Sequence, residues 1–76
     1  MLIMTKTNGK MTLTINSNIY GALLSQYQPK IITTEKENER ALSIVESLSH
    51  KSDLSPEEDQ LLELLITLIE KFESEQ

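Results

Sequence analysis

Three groups of residues in this chain have types that could do chemistry. His50 is the lone imidazole, suited by its ordinary pKa to acid–base work or to holding a metal. Glu57, Glu58 and Asp59 bring three carboxylates together, the ligand type that hard cations take. Tyr20 and Tyr27 carry rings that could stack on bases. Each has a simpler structural use. His50 has neither a second histidine nor any cysteine to join it, and at the end of a helix an imidazolium interacts well with free carbonyls. The three acids directly follow Ser55-Pro56, where a first helical turn favours negative charge. The tyrosines have no interleaved arginine and only Lys30 nearby, which suits core or protein contact better than nucleic acid. Gly9 and Gly21 are the only glycines, so no phosphate-cradling loop can form. A nucleophile–base–orienter set would have to be built around His50 alone. No enzyme, cofactor or metal site is expected.

The elements that must position these residues are helical. Asn16 or Ser17 caps a first helix that closes near Tyr27, because Pro29 pushes Gln28 out of the helical region. Ile19, Leu23 and Tyr27 form its stripe with Tyr20 and Leu24 beside it, and Gly21 weakens it by about 1 kcal/mol relative to alanine. Thr34-x-x-Glu37 is a capping box opening a second helix whose stripe is Ala41, Val45 and Leu48, flanked by Ile44 and Leu42. Ser55-Pro56-Glu57-Glu58 opens the third with a cap, a proline at the first helical position and a glutamate at the third. The spacing predicts helices over 17–27, 35–50 and 56–74. A short turn makes the last two an antiparallel hairpin that buries Ala41, Val45 and Leu48 against Leu61, Leu65 and Leu68. Before the helical region 16–76, Asn8-Gly9 suits a type I′ turn, so residues 1–15 read as a β-hairpin, the competing reading being a frayed extension over residues 1–10 with order beginning near Met11. The fold class is mainly α in one small domain.

The closing helix is unusually greasy. Eight of the twelve residues from Leu61 to Phe72 are apolar. At about 100° per residue they cover roughly 200° of the helix, about twice the arc of an ordinary surface helix. Leu61, Leu65 and Phe72 lie in the middle, Leu64 and Leu68 on one flank, and Leu62, Ile66 and Ile69 on the other. A 76-residue chain without cysteine has neither disulfides nor thiolate metal sites to support a small core, which leaves association. A homodimer is expected, with Leu62, Ile66, Ile69 and Phe72 as its contacts.

Charge is divided unevenly: residues 1–34 carry +3 with no acid, and residues 35–76 carry −8, which together make the net −5. An acidic helical half disfavours direct nucleic-acid binding and attracts a basic protein. The opening residues lack a signal-peptide pattern and no apolar run spans a bilayer, so no membrane association and a cytoplasmic location are expected.

The run PKIITTEKENERALSIVESLSHKSDLSPEEDQLLELLITLIEKFE, residues 29–73, resembles the N-terminal region of HigA-type antitoxins. The likeness lies in the Pro-x-Ile-Ile lead, the Glu-x-Glu-x-x-x-Ala-Leu helix, the His-Lys turn, the Leu-Ser-Pro-Glu-Glu cap and the leucine-rich helix ending Leu-Ile-Glu-Lys-Phe-Glu. Met11-Thr-Leu-Thr-Ile-Asn16 is also similar to the point where such proteins begin. Longer members continue into a helix-turn-helix domain, whereas this sequence ends at Gln76, so direct operator binding is not expected of it. The resemblance implies dimerisation and capture of a small basic messenger-RNA-cleaving toxin of the RelE/HigB type. Ile19, Tyr20, Leu23 and Tyr27 of the first helix are the expected toxin contacts. The alternative is a dimeric helical adaptor without a toxin partner.

Overall fold

The computed structural model describes residues 14–76 as three helices: α1 over Ser17–Tyr27, α2 over Glu35–Ser49 and α3 over Pro56–Ser74. The hairpin expected around Asn8-Gly9 lies outside the described residues. All three helices start where local chemistry places them. Asn16 Oδ1 accepts from the main-chain N–H of Asn18 and Ile19 at 2.9 and 3.0 Å, satisfying two of the free amides at a helix start. At α3 the capping box is complete: Ser55 Oγ accepts from Glu58 N at 3.1 Å while Glu58 Oε1 accepts from Ser55 N at 3.0 Å.

The start of α2 departs from the expected box. Thr34 Oγ1 does accept from Glu37 N at 3.1 Å. The Glu37 carboxylate, however, passes the cap and accepts from Thr33, at 2.9 Å from its N–H and 3.1 Å from its hydroxyl. Lys30 lies 3.2 Å from the other oxygen, so a cation adds to the pull toward residues 30–33. The end of α2 also falls one residue short of the expected 50: His50 is the C-cap, with its N–H donating to Glu46 O at 3.2 Å.

The core is centred on α3, which packs against both α2 and α1. Leu48, Leu61 and Leu65 form one buried group; Tyr20, Leu23, Leu24 and Tyr27 of α1 close over it from one direction and Ile44 and Val45 of α2 from another. Ala41, Ile69 and Phe72 form a second group with Ile32, which enters from the connection between α1 and α2. Of the six residues expected to pair α2 with α3, Ala41, Leu48, Leu61 and Leu65 are buried, and Val45 and Leu68 are half-buried against the core. Ile32 is a core residue that helix periodicity could not nominate, since it lies outside any helix.

This arrangement accounts for most of the wide apolar arc of α3 without a second chain. The middle of the arc is fully inside, with Leu61 at 0% exposure. Leu62, Leu64 and Leu68 are half-buried at its flanks. Full burial of each such side chain stabilises by about 1.5–3 kcal/mol, and two neighbouring helices collect that where a single neighbour would cover only half.

Candidate functional site

Polar ties between distant residues fix how α1 and the connection after it lie on α2 and α3. At its N-terminus, the Asn16 N–H donates to Glu57 Oε2 at 2.7 Å. Glu57 is 5% exposed, so the first of the three clustered acids is a structural acceptor between helices. Glu58 serves its own cap and pairs with Lys51. The Lys51 ammonium, followed by the Ser55 N–H, holds the Glu58 carboxyl below the ordinary carboxylate range. Among the described residues no three His, Cys, Asp or Glu side chains are grouped to hold a metal ion.

At the other end of α1, Arg40 of α2 donates from both terminal guanidinium nitrogens to the Tyr27 carbonyl, at 3.3 Å each. The last turn of α1 contains no basic residue of its own, and Arg40 supplies from a neighbour the positive charge that a helix C-terminus favours. Gln28 then turns the chain in the left-handed region, φ 48° and ψ 58°, its N–H donating to Leu24 O at 2.7 Å. That conformation costs a non-glycine residue roughly 1–2 kcal/mol, and the Arg40 contact beside it helps hold the turn.

These ties place the expected toxin-contact residues on two sides of α1. Ile19 is 50% exposed. Tyr20, Leu23 and Tyr27 are half-buried and pack on the Leu48–Leu61–Leu65 group. Their main load is therefore to hold α1 on the bundle. The four expected dimer contacts are divided as well. Ile69 and Phe72 are buried within one chain, where they pack with Ile32 and Ala41. Leu62 is half-buried and Ile66 is 37% exposed.

A cleft of about 290 Å³ opens where the connection crosses the bundle. Residues 28–32 form one wall; Glu37, Arg40 and Ala41 of α2 and Leu65 and Leu68 of α3 form the rest. Glu37 stands at its rim with its carboxyl lowered from about 4.5 to about 2, first by the Thr33 N–H and then by the Lys30 ammonium and the Thr33 hydroxyl. Sequence reasoning missed Arg40, the bond from Asn16 to Glu57 and this cleft. The one available signal was that Arg40 is the sole arginine; nothing local marks Glu57 as the partner of Asn16.

The class defined by this geometry is, over the described residues, a small three-helix bundle. Compared with protein-family models, with curated proteins and with solved structures, the chain gives no match. Among the described residues no helix is long and apolar enough to cross a membrane.

Proposed function

We propose that this chain is an antitoxin-like protein that binds and neutralises a small basic messenger-RNA-cleaving toxin of the RelE/HigB type. One observation carries the reading: the HigA-like run over residues 29–73 holds eleven of the twelve acids of the chain. Glu35, Glu39, Glu46, Glu63 and Glu70 are exposed on α2 and α3, so the surface that a basic partner meets is negative. An acidic protein seated on the basic surface a ribonuclease uses for RNA blocks it by occupancy and charge. Inhibition is then stoichiometric and needs no chemistry from the inhibitor.

The toxin contact in this reading is Ile19 with the outward edges of Tyr20 and Tyr27, Leu23 supporting them from beneath. Charge governs the approach and the apolar contact governs the lifetime, so added salt should slow association more than it speeds dissociation. Homodimerisation would use Leu62 and Ile66 of α3. Leu42 of α2, also exposed, gives the same kind of apolar contact and supports the second reading, a dimeric helical adaptor with no toxin partner.

Co-expression with the product of the adjacent open reading frame, scored by growth, tests the proposal. Rescue of a growth-arresting basic ribonuclease at a one-to-one ratio is expected. Failure to bind or inhibit that product at every tested ratio rejects the antitoxin reading in favour of the adaptor.

A further inference from the structure

We propose that the cleft beside residues 28–32 is a docking site for an extended peptide strand in which an aliphatic side chain stands two residues from an acidic one. The proposal holds whether or not the partner is a ribonuclease. Three observations converge on it. The first is the floor: Ala41, Leu65 and Leu68 line a cleft of about 290 Å³. Pockets that enclose small molecules run from about 300 to 1,000 Å³, so this one stands at the small end of that range and has room for an inserted side chain.

The second is the wall. Lys30, Ile31 and Ile32 lie outside any helix, and their main-chain N–H and C=O groups make no hydrogen bond with the described residues. Ile31 is 53% exposed, so its side chain has open surface beside the cleft. Unpaired main-chain groups next to an apolar cleft are the elements of strand addition, in which backbone bonds supply affinity and alternate side chains supply selectivity. Residues two apart on an extended strand face the same way, so the aliphatic residue and the acid point to one side together.

The third is charge. The rim carries Lys30, Arg40 and Glu37. Lys30 is paired with Glu37 at 3.2 Å, and the other Glu37 oxygen is occupied by Thr33. Arg40 has no carboxylate partner among the described residues; its two terminal nitrogens share one neutral carbonyl at 3.3 Å. That is well beyond the roughly 2.7–2.9 Å of a charge-assisted bond, and a guanidinium presents five donors in a fork that fits a carboxylate. Rim charge thus complements an acid on the ligand, although the whole chain is at −5.

The test is a titration of the 15N-labelled full chain with a blocked hexapeptide that alternates valine with threonine and carries glutamate two residues after its central valine. Saturable amide shifts at Lys30, Ile31, Ile32, Arg40 and Ala41 are expected. The glutamine version of the peptide should bind at least about 10-fold more weakly, and a version N-methylated at alternate main-chain amides should lose a similar factor. In Arg40→Gln the glutamate and glutamine peptides should bind equally; if that variant does not fold, the peptide comparisons on the unaltered chain still decide. No shifts at millimolar peptide, equal binding of the glutamate and glutamine versions, or indifference to N-methylation would overturn the proposal. So would movement of the same amides with protein concentration alone, which would assign the cleft to a second copy. Slow hydrogen exchange at Ile31 and Ile32 before peptide is added would assign it to the chain itself and also overturn it.

Discussion

Glu57 accepts the main-chain N–H of Asn16 across 41 residues of sequence, at 2.7 Å, and so hangs the start of α1 on the first turn of α3. The acid is buried while doing so, and a hydrogen bond to a charged group contributes about 1.5–3 kcal/mol. Glu57→Ala should therefore destabilise the protein by about 1–3 kcal/mol and raise amide exchange in α1 before α2 and α3. Uniform exchange across all three helices would show that the tie does not hold α1 in particular.

Separating the two roles of α1 gives a second expectation. Tyr20 and Tyr27 pack on the core and Ile19 does not. Tyr20→Ala combined with Tyr27→Ala should lower thermal stability by several kcal/mol, in line with removing packed aromatic rings. Ile19→Asp should leave the melting curve nearly unchanged and weaken partner binding in the proposed function. Calorimetric melting measured beside partner titration checks both, and a large loss of stability in Ile19→Asp would contradict the placement.

Gly21 is a position where stability can be gained. It sits inside α1, and a Cβ added there meets nothing within 4 Å. Gly21→Ala should stabilise by about 0.4–1 kcal/mol through the entropy of the unfolded chain and the better helix propensity of alanine. Chemical denaturation gives the value directly; a loss of stability would mean the site is more crowded than the geometry indicates.

The pH dependence follows from Glu37. Its carboxyl falls from about 4.5 to about 2 on folding, with the Thr33 N–H as the main cause and Lys30 next. A carboxyl with a depressed folded pKa contributes stability above its unfolded value, and that contribution disappears as pH falls through the folded value. Stability should decline between about pH 4.5 and about pH 2, and Glu37→Gln should flatten that part of the profile. Denaturant midpoints measured across the interval, with and without the substitution, provide the check. Parallel slopes in the two proteins would exclude Glu37 as the source.

Oligomeric state gives the last expectation. Of the four expected dimer contacts on α3, Ile69 and Phe72 are inside one chain, and Leu62 and Ile66 are the two with open surface. Ile66→Asp should shift sedimentation toward the monomer with little effect on the monomer's own stability, whereas Leu61→Ala should cost about 2–5 kcal/mol by opening a cavity in the core. A concentration-independent monomer in the unaltered protein rejects the dimer.

Helix boundaries were written in short stretches of sequence because the physics that sets them is local. Asn16, Thr34 and Ser55 cap their own helices within two or three residues, and Pro56 suits only a first helical position. The broad arc of α3 was equally legible, since it depends on residue type and a fixed rotation per residue. What covers that arc was not. Periodicity measures how much surface is apolar and carries no information on how many neighbours share it, so an arc that reads as half intended for another chain is largely covered by α1, α2 and Ile32. The bonds joining Asn16 to Glu57 and Tyr27 to Arg40 span 41 and 13 residues. Their geometry exists only after the helices have packed. The cleft beside residues 28–32 has the same origin: its walls come from three separate parts of the chain, and only the tertiary structure brings Arg40, Leu65 and Ile31 to one opening.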